Sequence, residues 1–277
     1  MGCTLKWQSC FRFKNIRAVL GILALGVALS VIAQEPVHPI VESNVRCLLG
    51  GSSRRLWLSA DDIVRSISGG ERYRLIQPLK LPSTVVTGSK IKSNDAICPA
   101  THSVDLSPKP SSSVPTLAVA GDWNPTPRPV QDISSSKSSY ATLFQPVLAK
   151  LGIAARPDIK QLWKTDLAGD GKDVVVAVMR NFSYSDVNSS HSQANAYSAV
   201  VARQLVGSVV NTVVIESENG PREGGVSEYS VPFIVDLNGD AKLEIVVYGR
   251  YLQGTFTEVY TLENGKAKKV LSCACGE

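Results

Sequence analysis

After residue 160 the chain consists of short apolar runs separated by turn residues and polar loops. Runs of this length, rich in Val, Ile, Tyr and Thr, predict β-strands. Eight such runs fall into two sets of four. The first set is 161–167, 174–179, 196–205 and 209–216, and the second is 229–237, 244–251, 255–262 and 267–271.

Both sets follow one plan, which is strand, acidic loop, strand, connection, strand, tight turn, strand. Asn264 and Gly265 make the last turn of the second set, and this dipeptide is a strong hairpin signal. The first residues of the two acidic loops, Asp166 and Asp236, are 70 positions apart. The pattern predicts a mainly β fold with a few helices (α+β), built on two four-stranded antiparallel repeats.

Residues 34–105 predict a small mixed unit of helix and strand in front of these repeats. Ser59 followed by Asp62 is a capping-box signature and predicts the start of a short helix. Residues 72–76 and 84–91 have the composition of short strands. We therefore expect a small N-terminal α+β unit.

Residues 106–139 are rich in Ser and Pro, which predicts a linker with an extended backbone. The apolar island 117–123 inside this segment is expected to dock as an edge strand. Residues 138–152 then predict an amphipathic helix that covers the sheet and leads a β-repeat domain of residues 140–277. The apolar face of this helix is Leu143, Val147, Leu148 and Leu151.

The first 33 residues predict a signal peptide. Four basic residues and no acidic one precede or open an apolar run over residues 18–33. The run has about 16 residues, whereas a membrane span needs roughly 20. We expect a cleaved leader and an exported protein, secreted or held in the periplasm or cell envelope. An uncleaved anchor is the alternative.

Removing the leader changes the charge of the chain. The full sequence has 29 basic and 24 acidic residues, and four of the basic residues lie in the leader. The remaining chain is therefore close to neutral. No long-range positive field remains to attract nucleic acid or an anionic membrane surface, so neither is expected as a partner.

Four cysteines follow the leader, namely Cys47, Cys98, Cys273 and Cys275. Export places them in an oxidising compartment, and four cysteines allow three pairings. A disulfide between Cys47 and Cys98 is predicted because both lie in the front segment. A bond between Cys273 and Cys275 would be strained, so these two are expected to be free or paired across domains.

The second acidic loop, residues 236–244, has the oxygen ligands of a calcium loop. Hard cations take about six to eight oxygens, which side chains at positions 1, 3, 5 and 9 and a carbonyl at position 7 can supply. These positions hold Asp236, Asn238, Asp240, Glu244 and, for the carbonyl, Lys242. Ala241 stands where glycine is expected and predicts local backbone strain.

The first acidic loop is a weaker candidate for the same site. It keeps Asp166 and Asp170, but Asp173 lies one position early. Ala168 and Val174 supply no side-chain oxygen where ligands are expected. Calcium is the predicted cofactor of these loops. The alternative for both is a solvated turn in which Asp side chains accept hydrogen bonds from backbone N–H groups.

At these residues the chain resembles the FG-GAP or VCBS repeats, whose loop reads Asp-x-Asn-Gly-Asp-Gly-x-x-Asp/Glu. The resemblance covers residues 160–275. It implies strands arranged like the blades of integrin-type β-propellers, and a secreted bacterial protein of uncharacterised function. A full propeller has at least about four blades, whereas two repeats are visible in this sequence.

The sequence contains no recognisable catalytic motif. His38, His102 and His191 form no His-Glu-x-x-His pattern, and no Gly-x-Ser-x-Gly elbow is present. The favoured function is an exported binding or interaction protein without catalysis, whose partner is an unknown protein or glycan. The alternative is an extracellular or envelope hydrolase that uses loop carboxylates. Convergence of these carboxylates in one deep cleft would favour the hydrolase.

Overall fold

The computed structural model describes residues 35–43, 47–78, 84–94, 98, 100–111, 114–185, 195–206, 209–221 and 225–276. The predicted signal peptide, residues 1–33, lies outside the described residues, and so does His191. Within the described ranges, no helix combines the length and the apolar character that a membrane crossing requires.

The described part of the chain is mainly β, as the sequence predicts. Its strands are β1 (His38–Glu42), β2 (Cys47–Ser53), β3 (Leu56–Ser59), β4 (Arg72–Ile76), β5 (Val85–Gly88), β6 (Lys92–Ser93), β7 (His102–Ser103), β8 (Leu106–Ser107), β9 (Leu117–Val119), β10 (Gln131–Asp132), β11 (Ile159–Thr165), β12 (Val174–Arg180), β13 (Tyr197–Val206), β14 (Val209–Asn219), β15 (Glu228–Val235), β16 (Glu244–Tyr251), β17 (Gly254–Glu263) and β18 (Lys266–Gly276).

Two α-helices are present in the described residues, α1 (Ala60–Ile63) and α2 (Lys137–Lys150). The predicted capping box starts α1, because the Ser59 side chain accepts from the Asp62 amide and the Asp62 side chain accepts from the Ser59 amide. A short 3-10 turn, Val64–Ser66, follows α1, and another, Ser134–Ser136, precedes α2.

In the described chain the strands form four antiparallel sheets. The front sheet has the order β3-β2-β1-β9-β4-β5-β8, and β6 pairs with β7 in a separate ribbon. The rear sheet has the order β10-β11-β12-β13-β14, and the middle sheet has the order β15-β16-β17-β18. All eight strands predicted after residue 160 are confirmed, and each set of four forms a meander of neighbouring strands.

The middle sheet is buried on both faces. On one face Ile245 and Tyr229 pack with Val176 and Val200 of the rear sheet. On the other face Val246 packs in a second cluster with apolar side chains of the front sheet. Ile245 and Val246 are neighbours in β16, and successive side chains of a strand point to opposite faces. The core is therefore a stack of three sheets.

Helix α2 covers the outer face of the rear sheet. Phe144 and Leu148 are fully buried there, in a cluster with Leu162 and Tyr197. The predicted helix is confirmed, but its inner face differs from the predicted one, since Leu143 remains 45% exposed. The residue that packs at that turn is Phe144, one position later.

The Ser/Pro-rich segment is part of the fold. Strand β9 lies between β1 and β4 inside the front sheet, so the predicted edge strand is an inner strand. No proline interrupts residues 117–123, so the backbone donors that an inner strand needs are present. Strand β10 adds a fifth strand to the rear sheet. Residues 35–277 form one compact unit.

The predicted disulfide between Cys47 and Cys98 is wrong. Cys47 of β2 bonds Cys273, and Cys98 bonds Cys275, with Cα–Cα distances of 6.5 and 4.9 Å. Cys273 and Cys275 lie two positions apart in β18, so their side chains point to the same side of the sheet. The packing of the front sheet against the middle sheet brings the two pairs together. The expectation that Cys273 and Cys275 pair across domains is the one that agrees with this geometry.

Candidate functional site

The second acidic loop connects β15 to β16 and is organised by the carboxylate of Asp236. Its Oδ1 accepts from the backbone amides of Gly239 at 2.7 Å and Asn238 at 3.2 Å. Its Oδ2 accepts from the amide of Ala241 at 2.9 Å. The Asp236 residue is only 1% exposed. A buried carboxylate therefore closes the turn through three backbone donors.

The other three side chains predicted as ligands in this loop, those of Asn238, Asp240 and Glu244, accept from backbone amides too. Asn238 Oδ1 accepts from the Asp240 amide at 3.0 Å, and Asp240 Oδ1 from the Lys242 amide at 2.8 Å. Glu244 Oε2 accepts from the Leu237 amide at 2.7 Å. The structure therefore brings Asp236, Asn238, Asp240, Lys242 and Glu244 into one loop, with four side-chain acceptors turned toward its backbone.

The first acidic loop connects β11 to β12 and adopts the same conformation. Asp166 Oδ1 accepts from Gly169 at 2.7 Å and Oδ2 accepts from Gly171 at 2.8 Å. Positive φ angles occur at the same two positions of each loop, with +75° at Gly169 against +79° at Gly239. The second position is +80° at Gly171 and +64° at Ala241. Ala241 thus carries the predicted strain, of about 1 kcal/mol.

The other acids of the first loop form ion pairs at the surface. Asp170 contacts Lys172 at 3.0 Å, and this hydrogen bond lowers the pKa of Asp170. Asp173 contacts Lys164 at 2.7 Å. Ala168 lies at the third position, where the second loop has Asn238. The first loop therefore lacks the oxygen set of a calcium site, and lysines neutralise its exposed acids.

A backbone hydrogen bond joins the two loops, from the Leu243 amide to the Leu167 carbonyl at 2.8 Å. A segment that we call the strap, residues 120–130, crosses both of them. The Arg128 guanidinium donates to the carbonyls of Asp166 at 2.6 Å, Leu167 at 3.1 Å and Ala241 at 2.6 Å. One side chain thus ties corresponding turns of the two sheets together.

Trp123 of the strap holds the second loop. Its indole N–H donates to the Asp236 carbonyl at 2.9 Å, and the Asp236 amide donates to the Pro125 carbonyl at 2.8 Å. A Cβ at Gly239 would lie 2.9 Å from the Trp123 side chain, and one at Gly169 would lie 3.0 Å from Arg128. The strap therefore covers the same glycine position in both loops.

Sequence reasoning missed Trp123 and Arg128. Both lie in the segment predicted as a linker, and their partners are more than 35 positions away. Three prolines near Arg128 were the available signal, because they fix φ and give an extended segment that can present side chains in a defined direction. The sequence offered no means of deciding what that segment crosses.

Burial changes the electrostatics of the second loop. Burial raises the pKa of Asp236 and raises the pKa of Glu244 well above its ordinary value. Neighbouring Asp240 adds to both effects through charge repulsion, while the backbone hydrogen bonds oppose them. The loop thus holds carboxylates whose negative charge is poorly solvated. A cation or a proton is the natural partner of such charges.

Replacing Glu244 by glutamine is expected to raise thermal stability at pH 8 in calcium-free buffer. The folded pKa of Glu244 exceeds its unfolded pKa, so the folded chain binds the proton more tightly. Stability from this group therefore falls as pH rises above the unfolded value of about 4.3. Each unit of difference costs about 1.4 kcal/mol at high pH.

Thermal melts of both proteins between about pH 5 and 8 would check this. The wild type should lose stability across that window more steeply than Glu244→Gln. Glu263→Gln, at an exposed carboxylate, is the matched control and should follow the wild type. A Glu244→Gln protein that is less stable than wild type at pH 8 would contradict the expectation.

A cavity of about 450 Å³ lies beside the second loop. Its described lining includes Asn238, Asp240 and Glu244 of that loop and Leu167 and Ala168 of the first loop. Asp166, Asp170 and Asp236 do not belong to this lining. The convergence that would favour a hydrolase is therefore limited to the acids of one loop.

Comparison with known proteins finds no match among protein-family models, curated proteins or solved structures. The resemblance to FG-GAP or VCBS repeats consequently rests on the loop residues and on the strand order. In the described part of the chain, no group of three or more His, Cys, Asp and Glu side chains is arranged to hold a metal. A site in the second loop would depend on its amide and carbonyl oxygens as well.

Proposed function

We propose that this chain is an exported binding protein without catalytic activity, whose two β meanders present their loops to a partner. The observation that carries the proposal is the use of the loop acids. Asp166 and Asp236 each close a turn through backbone amides, and Asp170 and Asp173 pair with lysines. Groups committed to turn structure and ion pairs are poor candidates for attack on a substrate.

We further propose that the rear and middle sheets are divergent FG-GAP or VCBS-like repeats. The support is threefold. Each sheet is a meander, each carries its acidic loop between the first two strands of its set, and the two loops share positive φ at equivalent positions. The arrangement is a stack of sheets in the described chain, so this proposal concerns the repeat unit and not a closed propeller.

Export is proposed on the sequence of residues 1–33 together with the two disulfides. Disulfides form and persist in oxidising compartments and are rare in the cytosol. The partner of an exported binding protein is expected to be a protein or a glycan. The nearly neutral charge of residues 34–277 supports neither nucleic acid nor an anionic membrane surface.

Calcium is proposed as a ligand of the second loop only. Asp236, Asn238, Asp240 and Glu244 would hold it through side-chain oxygens and Lys242 through its carbonyl. When bound, the ion would neutralise carboxylates that are buried without a cationic partner in the described contacts and would stiffen the turn. The ordinary role of Ca²⁺ in such loops is structural, so no reaction step is assigned to it.

Addition of about 10 mM calcium chloride is expected to stabilise the protein. For a Kd of about 1 mM, typical of extracellular calcium modules, the gain is about 1.4 kcal/mol. This corresponds to a rise in Tm of about 3–5 °C for a chain of this size. Differential scanning fluorimetry would measure the shift, and isothermal titration calorimetry would measure the heat of binding.

Asp240→Asn in the second loop is expected to remove this calcium response. The matched control is Asp170→Asn at the equivalent position of the first loop, which should leave the response unchanged. Absence of both heat and a Tm shift with the wild type would refute calcium binding. An effect of Asp170→Asn equal to that of Asp240→Asn would refute the choice of loop.

A further inference from the structure

The hairpin between β2 and β3 carries an unusual turn. Ser53 and Leu56 pair across it, so Arg54 and Arg55 are its two central residues. Their φ angles are +51° and +65°, in the left-handed region. Two-residue turns of this kind favour Asn-Gly or Gly-Gly, because a side chain there costs about 1–2 kcal/mol per residue. Two arginines therefore occupy positions that a stable hairpin would give to glycine.

Strain of this kind accumulates at functional sites. Arg54 points to an exposed ion pair with Glu35 at 3.0 Å, with both side chains about half exposed or more. Arg55 instead lines the cavity beside the second acidic loop. Its carbonyl accepts from Asn238 Nδ2 at 3.1 Å, which fixes the strained turn against that loop. The geometry therefore directs one of the two arginines to a built cavity.

The cavity combines an aromatic surface with hydrogen-bonding groups. Trp57 and Leu56, which is 67% exposed, supply apolar surface at its front-sheet side. Asn238 supplies a side-chain amide with a fixed orientation. Its Oδ1 accepts from the Asp240 amide, and its Nδ2 donates to the Arg55 carbonyl. The described part of the cavity's lining includes three basic and three acidic residues, Arg55, Lys242, Lys268, Asp240, Glu244 and Glu263.

This balance discriminates among ligand classes. Nucleotides and phosphorylated ligands favour a surplus of basic residues, which the described lining does not have. The lining combines apolar side chains, such as Leu56 and Trp57, with charged ones, so it suits a ligand that has both kinds of surface. A sugar ring has an apolar C–H face that packs on an indole, and hydroxyls that donate to carboxylates and accept from guanidinium and ammonium groups. The volume of about 450 Å³ lies in the range of small-ligand pockets, about 300–1,000 Å³.

We propose that this cavity binds an uncharged oligosaccharide, with a sugar ring on Trp57 and its hydroxyls on Arg55, Asn238 and Asp240. This inference rests on the proposed binding function and names the ligand class of that function. Arg55 is held in strained backbone geometry because its guanidinium is required at the rim of the cavity.

The two turn arginines provide a matched pair of variants. Arg55→Gly and Arg54→Gly each relieve a left-handed residue, so each is expected to raise Tm, by about 2–4 °C. Only Arg55→Gly removes a group from the cavity. We expect it to weaken oligosaccharide binding at least tenfold, while Arg54→Gly binds like the wild type. Gain of stability with loss of binding distinguishes a ligand contact from a structural role.

Binding would be measured by isothermal titration calorimetry of residues 34–277 against cello-, chito-, xylo-, malto- and galacto-oligosaccharides at millimolar concentration. Trp57→Phe should weaken binding of the sugar found, and Trp163→Phe, outside the cavity, should not. No binding of any of these sugars would overturn the proposal, as would equal effects of Arg54→Gly and Arg55→Gly. A negative result with all of these sugars would leave the calcium response of the second loop intact, because that response is measured in a separate experiment. Failure of the sugar proposal can therefore be told apart from failure of the proposed calcium binding.

Discussion

Replacing Cys47 and Cys273 together by alanine is expected to lower the free energy of unfolding by about 4–5 kcal/mol. With the bond between Cys98 and Cys275 still in place, the bond between Cys47 and Cys273 closes an additional loop of about 50 residues and removes about 4 kcal/mol of unfolded-chain entropy. Both cysteines are almost fully buried between the front and middle sheets, so their loss removes packing as well. Denaturant unfolding of the oxidised wild type and the variant would measure the difference.

The second disulfide supplies the internal control. With the bond between Cys47 and Cys273 in place, the bond between Cys98 and Cys275 closes an additional loop of only about 50 residues. The bond between Cys47 and Cys273 adds the same loop when the other bond is in place, so replacing Cys98 and Cys275 is expected to cost the same chain entropy, about 4 kcal/mol. Any greater loss at Cys47 and Cys273 then measures the packing of these more deeply buried cysteines. A larger loss from the second pair would contradict the entropic account.

Replacing Arg128 by lysine is expected to lower the free energy of unfolding by about 2–3 kcal/mol. Its guanidinium donates to carbonyls in both acidic loops at once, and an ammonium group cannot reproduce that fork. Each carbonyl left without a donor costs about 1–3 kcal/mol, with the lower values applying where water can enter. The partial exposure of Arg128 favours that lower range.

Arg203→Lys is the control for loss of an arginine as such. Arg203 is partly exposed like Arg128, donates to one carbonyl, that of Leu143 at 2.7 Å, and lies over the Phe144 ring at 6.0 Å. Its replacement is expected to cost less than about 1 kcal/mol. Thermal or urea unfolding of both variants would make the comparison. A loss at Arg128 no greater than that at Arg203 would show that the two loops are held without this clamp.

The parts of the fold that depend on local pattern were predictable. Strands β11 to β18 were all anticipated. An apolar run bounded by turn residues predicts a strand from residues that are close together in the sequence. The capping box at Ser59 and Asp62 was anticipated for the same reason. The strain at Ala241 was anticipated because a calcium loop has glycine at that position, and the φ angle of +64° confirms it.

The parts that depend on distant contacts were not predictable. The insertion of β9 between β1 and β4 requires partners more than 40 positions away. The proximity of Cys47 to Cys273 follows from stacking of the front sheet on the middle sheet, which no local pattern encodes. The candidate site divides in the same way. The acids of both loops were evident, but Trp123, Arg128 and the turn at Arg54 and Arg55 were not.

The position of both disulfide partners in the last strand has a consequence for biosynthesis. A polypeptide that is translocated with its N-terminus leading delivers Cys47 and Cys98 to the oxidising side long before residues 273 and 275 arrive. Premature oxidation then joins the two early thiols in a pairing that the native protein does not contain. For the proposed exported chain, the native pairs then form only after thiol–disulfide exchange breaks that early bond.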